Sequence, residues 1–138
     1  MNYPANLHKF SFEEGDAKLT IKDLISFDAE FSKDVEEWKS FDNQGWTSRM
    51  VTGRDLSISC IAKRNYGEEA NDAIADMAFL QGEDVVKNCE WKLPNGTKIE
   101  FPGVFEVTKV GGGEATAVDE LEFTVYCVGM PTITKAGA

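Results

Sequence analysis

Histidine is nearly missing from this chain. His8 is the only one, so a multi-histidine metal centre is out of reach, and a histidine general base would rest on one residue near the N-terminus, where a surface position is expected. Cysteine is scarce and odd in number: Cys60, Cys89 and Cys127. None stands in a CxxC or CxxH spacing, so the local ligand pairs of a zinc site are absent. Set between apolar or small neighbours in SISCIA, KNCEW and VYCVG, the thiols are expected to be buried and reduced, acting as small hydrophobes. Apolar runs are short. No stretch of about 18 apolar residues occurs, so no helix of this sequence crosses a membrane. The opening MNYPANLHKF lacks the apolar core of a secretory signal, and synthesis and solubility in the cytosol are expected. Clustered positive charge is also missing: the longest basic run is Lys63–Arg64, within a net charge of −10. That balance argues against tight binding to DNA, RNA or an anionic membrane, all of which need grouped Lys and Arg.

The motifs of common chemistries are absent as well. No serine sits in a GxSxG elbow, and Gly111–Gly112–Gly113–Glu114 lacks the Lys-Ser/Thr of a phosphate loop. Asp42–Asn43–Gln44–Gly45 has neither the alternating ligands nor the closing Glu of a calcium loop. The acidic pairs Glu36–Glu37, Glu68–Glu69 and Asp119–Glu120 are sequence neighbours, and neighbours in a strand point to opposite faces. A carboxylate pair assembled from distant positions stays open. Asn95–Gly96–Thr97 reads as a turn. No catalytic, cofactor-binding or metal-ligating residue is therefore assigned, no cofactor is expected, and the chain is read as a structural subunit and not an enzyme.

What is present is strand pattern. With 138 residues and 12 glycines against 4 prolines, the chain suits one domain over 1–138 with many tight turns. Phe10 and Phe12 alternate with polar residues over Lys9–Phe12. Leu24–Phe31 alternates more cleanly, with Phe27, Ala29 and Phe31 on one face and Asp28 and Glu30 on the other. Arg54–Lys63 turns Leu56, Ile58, Cys60 and Ala62 inward. Val85–Leu93 and Ile99–Phe101 flank Pro94–Asn95–Gly96, a hairpin turn. Pro102–Gly103 bends the chain before Val104–Val110. After the loop opened by Gly111–Gly113, Leu121, Phe123, Val125 and Cys127 face one way, Glu120, Glu122, Thr124 and Tyr126 the other.

One amphipathic helix is predicted. Ala70, Ala73, Ile74, Met77 and Ala78 form a narrow apolar stripe with Leu80 at its edge, Glu68, Glu69 and Asp72 at the N-terminal end and Gly82 beyond the C-terminal end. Ile74 and Met77 are expected to be buried against a sheet. Residues 1–8 read as an N-terminal extension and 132–138 as a C-terminal tail. Residues 32–48 follow neither period and read as a long loop whose Trp38, Phe41 and Trp46 either fold back as a lid or project as partner anchors. Six or seven strands and a helix make a mainly β protein, a β-sandwich or small barrel with a flanking helix.

In this order the elements resemble the tail tube proteins of bacteriophages and phage-derived particles, from about Phe27 to Ile133. The resemblance is carried by FDAEFSKDVEEWKSFDNQGWTS ahead of GRDLSISCIAKR, the helix EEANDAIADMAFLQG, the hairpin and bent strand CEWKLPNGTKIEFPGVFEVTKV, and a Gly-rich loop leading to ELEFTVYCVGMPTI. It implies a β-sandwich, barrel-like tail-tube fold with one flanking helix. Subunits would join their inner sheets into hexameric rings, stacked into the hollow tail tube of a phage or phage-like particle. The expected location is the virion, after synthesis in the bacterial host cytoplasm. Expected partners are further copies of itself and other tail proteins (tape measure, baseplate or initiator, terminator). DNA would pass through the lumen without tight binding, or the tube would serve injection in a bacteriocin-like particle; no membrane is involved. Trp38, Phe41 and Trp46 become candidates for the subunit interface, and Asp28, Glu30, Glu120 and Glu122 for a lumen-facing acidic row. The competing reading is a small β-barrel binding module whose pocket is lined by Trp38, Trp46, Trp91 and Tyr126.

Overall fold

The computed structural model describes residues 1–136. It contains eight strands, β1 (Lys9–Glu14), β2 (Ala17–Thr20), β3 (Leu24–Lys39), β4 (Thr47–Lys63), β5 (Val86–Lys92), β6 (Lys98–Lys109), β7 (Glu120–Cys127) and β8 (Thr132–Thr134), with one α-helix, α1 (Glu69–Asp76), between β4 and β5. Pairing is antiparallel throughout, in the order β2-β1-β5-β6-β7-β4-β3, with β8 also on β6.

The sheet turns on β6. Its N-terminal half pairs with β5 and its C-terminal half with β7. One layer is thus β2-β1-β5-β6 and the other β6-β7-β4-β3. The layers close on an apolar core: Phe10 of β1 lies 4.9 Å from Phe27 of β3, near opposite ends of the strand order, and Phe12 lies 5.3 Å from Phe105. Alternation dictated this. Leu56, Ile58, Cys60 and Ala62, together with Leu121, Phe123 and Val125, are all buried, as are Ile74 and Met77 from the helical segment.

Gly103 stands at the crossover, opposite Lys87 of β5 and Cys127 of β7. A Cβ there would lie 2.5 Å from Val125 Cγ1 and 2.8 Å from Cys89 Sγ, too close for either neighbour to accept without moving. Gly103→Ala is expected to cost about 1–3 kcal/mol through overpacking. Equilibrium urea unfolding measures it, and an unchanged midpoint would show that the bend has slack.

Several expectations are corrected. Residues 32–48 are not a loop: β3 and β4 pair continuously from Leu24↔Ala62 to Lys39↔Thr47, with register shifts at Leu24/Ser26 and Asp34/Val35, and only 40–46 turn. Beyond Phe31 both faces of this hairpin lie outside the core, so no period-2 hydrophobic pattern is imposed on its sequence. Residues 132–134 of the expected tail form β8 on β6, while 137–138 lie outside the described residues. Ile133 is exposed, so burial left no strand signal there. The predicted stripe does not run as one α-helix. The chain tightens into a 3-10 turn at Met77–Phe79, which leaves Phe79 and Leu80 exposed.

Residues 1–8 are not a free extension either. Ala5–Leu7 form a 3-10 turn, and half-buried His8 accepts a hydrogen bond from the Trp91 indole (Nε1 to Nδ1, 3.0 Å) with its ring 4.9 Å from Phe27. Burial holds the His8 pKa below the usual 6.5. The folded state therefore favours neutral imidazole. Its contribution is complete above the ordinary pKa and is lost as pH falls through the lowered one. Acidification from roughly pH 7 to pH 5 is expected to release the Trp91 indole from His8 and loosen residues 1–8. The Trp91 indole N–H resonance reports it, and His8→Gln is expected to flatten its pH dependence across that range.

Candidate functional site

The outward face of the β6-β7-β4-β3 layer is acidic. Register sets Asp28, Ser59, Thr124 and Glu106 in one row, and Glu30, Ser57, Tyr126 and Val104 in the next. Glu122 and Glu120 follow on the same side of β7, beside Ile61 and Lys63 of β4. The acidic candidates Asp28 and Glu30 of β3 and Glu120 and Glu122 of β7 therefore share a single face, with β4 between the two strands. They are not equivalent. Glu120 is flanked by Lys63 at 3.6 Å and Lys109 at 3.9 Å, whereas among the described residues Asp28, Glu30, Glu106 and Glu122 have no ion-pair partner.

Asp28 and Glu30 crowd each other, and their mutual hydrogen bond and like charge raise the Glu30 pKa. Glu106 beside the phenol raises the Tyr126 pKa in the same way. Glu106 was not singled out from sequence. The alternation of Phe105 and Val107 with Glu106 was the signal that could have found it.

The same layer has two open edges. β3 ends the strand order, and beyond Val104 the β5-facing edge of β6 pairs with no strand among the described residues. β3 runs antiparallel to β4, β4 to β7 and β7 to β6. The β3 edge of one copy and the β6 edge of another can therefore pair antiparallel without reversing either layer. Edges without a strand partner invite one.

Past the core the β3–β4 hairpin projects by about eight residues per strand, roughly 26 Å. It is held by backbone pairing and an Arg49–Glu37 ion pair at 2.9 Å. Trp38 is 43%, Trp46 78% and Phe41 102% exposed, so these aromatics project and do not form a lid. Nor do the aromatics of the binding-module reading converge. Trp91 is in the core against Phe10, Tyr126 is on the acidic face, and Trp38 and Trp46 are on the hairpin.

Of the three thiols, Cys60 and Cys89 are buried, with burial pushing both up to about 12, and Cys127 is only partly covered. Among the described residues no three His, Cys, Asp or Glu side chains converge as metal ligands.

Two antiparallel β layers, one with an acidic outward face and two edges without strand partners, together with a projecting hairpin define the architecture. No protein-family model and no curated protein sequence matches the chain. Solved structures do. A chain of the tail of an empty gene transfer agent particle, refined with C6 symmetry, aligns with a TM-score of 0.73 at 20% identity, over 96% of this chain and 99% of that one. A chain of the native gene transfer agent virion gives 0.72 at 18% identity, over 96% and 99%. A chain of the sheath–tube complex of an extracellular contractile injection system, in its extended state, gives 0.63 at 17%, over 98% and 93%. The chain shares the fold of these particle chains along essentially its whole length.

Proposed function

We propose that this chain is a tail tube subunit that assembles into stacked hexameric rings enclosing a conduit for DNA. The observation that carries the reading is the pair of open edges on one acidic layer, in a fold shared with tail assemblies. Joining β3 of each copy to β6 of the next turns separate layers into one closed sheet, and closure removes the open edges.

The dimensions support a bore. With the six-fold symmetry stated for the gene transfer agent tail, six four-stranded layers give a barrel of roughly 24 strands. At about 4.8 Å between strands and a tilt of about 40°, its backbone radius is roughly 24 Å. Such a barrel leaves room for a DNA duplex inside the side chains. The core and the second layer cover one side of the joined sheet, so the acidic side is the one free to face the bore. Asp28, Glu30, Glu106 and Glu122 would then line it, with Glu120 partly neutralised by its lysines. The hairpin, carrying Trp38, Phe41 and Trp46, reaches out to neighbouring subunits. Other tail proteins, starting and ending the tube, are the remaining partners, and the assembled virion is its place.

Negative-stain microscopy of concentrated protein tests this. Hollow tubes or rings of uniform diameter are expected. Monomer alone in ultracentrifugation, across concentration and salt and with tail initiator proteins added, would overturn it.

A further inference from the structure

A cleft of about 830 Å³ opens at the base of the projecting hairpin. Phe31 and Leu56 form one wall, and Met130, Pro131 and Ile133 the other. Phe31 is 60%, Ile133 53% and Met130 91% exposed, an apolar concavity that a finished surface would not leave open. Lys33 and Arg54 lie directly opposite each other across β3 and β4 at its rim. Like charges so placed repel. Asp55 is the one acid in the lining, and among the described residues neither cation has an ion-pair partner. The cleft therefore asks for a ligand that is apolar at its tip and acidic beside it.

The chain carries such a shape elsewhere. After α1 the 3-10 turn buries Met77 and turns Phe79 outward, 85% exposed, with Leu80 beside it. The Leu80 N–H donates to the Met77 carbonyl at 3.2 Å, which stiffens the corner. Glu83 and Asp84 follow, exposed and without ion-pair partners among the described residues. Two apolar side chains with two acids beside them match an apolar cleft with two cations at its rim. Other exposed segments match less well: residues 1–8 contain no acid, and the hairpin tip carries Lys39 beside Asp42. Tyr66, ahead of Glu68 and Glu69, is already engaged, its ring under the Arg64 guanidinium at 4.1 Å and its hydroxyl donating to Asp119 at 3.2 Å.

Position agrees with chemistry. The cleft lies along β3, one open edge, on the face that continues the core side. The 3-10 turn that carries Phe79 contacts β6 and buries its Met77 in the core, and the far half of β6 is the other edge without a strand partner. Pairing β3 of one copy with β6 of the next sets both on the same side of the joined sheet. We propose that the cleft receives the Phe79–Leu80 corner of a second copy of this chain, with Lys33 and Arg54 meeting Glu83 and Asp84. This heterologous contact rests on the ring reading above and names the side of the ring that it buries.

In a Cys127→Ser background, Phe79→Cys with Met130→Cys is expected to cross-link assembled protein under mild oxidation into a ladder ending at the ring. Tubes that form without this ladder, or that cross-link Met130→Cys to Tyr3→Cys or Phe41→Cys in its place, overturn the contact and leave the tube reading standing. A wild-type chain that never assembles overturns both. Should the cysteines block assembly, charge exchange decides. Lys33→Glu with Arg54→Glu is expected to lower polymer yield at low salt by at least about tenfold. Adding Glu83→Lys and Asp84→Lys is expected to restore it, whereas Asp16→Lys with Glu114→Lys, the same change in net charge away from the cleft, is not. Equal rescue by both pairs, or rescue by neither, overturns the contact.

Discussion

Truncating Trp38 and Trp46 together to alanine is expected to abolish tube growth while leaving the monomer folded. Both side chains stand outside the core, 43% and 78% exposed, so their loss opens no cavity, and surface changes of this kind usually shift stability by no more than about 0.5 kcal/mol. Buried in an interface the same side chains are the usual anchors, and removing one costs about 2 kcal/mol or more, roughly thirtyfold in association. A tube repeats the contact at every subunit, so a modest loss per contact is enough to push the critical concentration beyond reach. Phe41→Ala, at the tip and fully exposed, is expected to weaken growth in the same direction. The measurement is sedimentable polymer against concentration, with thermal unfolding of the monomer as control. A large fall in melting temperature with polymerisation intact would show that the hairpin serves the fold and not the contact.

Reversing the acidic face is expected to produce tubes that assemble but hold DNA. Asp28→Lys with Glu30→Lys places two cations per subunit on the face assigned to the bore. Each phosphate they neutralise contributes a salt-dependence slope of about −0.9 in log affinity, so retention should be strong in dilute salt and fade as salt rises. Native tubes should do the opposite and exclude the duplex. At physiological ionic strength the Debye length is about 8 Å, so the repulsion acts near the wall and keeps a duplex centred. Glu13→Lys, on β1 in the other layer, is expected to leave DNA passage unchanged. Native assembly should itself improve with salt, because subunits carrying a net charge of −10 must approach one another. The readouts are DNA co-sedimentation with preformed tubes and DNA delivery by particles containing the variant. Equal DNA retention by native and reversed tubes, with polymerisation indifferent to salt, would reduce the acidic balance to a matter of solubility.

The core was legible in the sequence because burial writes itself as alternation. Phe10 and Phe12, Leu56 to Ala62, and Leu121 to Val125 each face the core at every second position, and each was predicted to do so. Ile74 and Met77 were legible for the same reason at helical spacing. The sequence also determined the outward direction of Asp28, Glu30, Glu120 and Glu122, since the pleat sends the intervening residues to the opposite face.

What the pattern could not reach lies where burial stops. Lys33 to Lys39 and Thr47 to Gly53 are strand because their backbones pair, not because a core selects their side chains, so their sequence carries no period. β8 is three residues long with Ile133 exposed, and pairing with β6 alone makes it a strand. Only the tertiary structure decided that β3 and β7 belong to one layer, which gathers four separately predicted carboxylates onto one surface and sets Glu120 between two lysines. Only it showed that the two open edges flank that layer and run in compatible directions. Facing along a strand follows from local geometry and can be read from the chain alone. Which strands lie side by side depends on contacts between distant segments, and no local pattern encodes them.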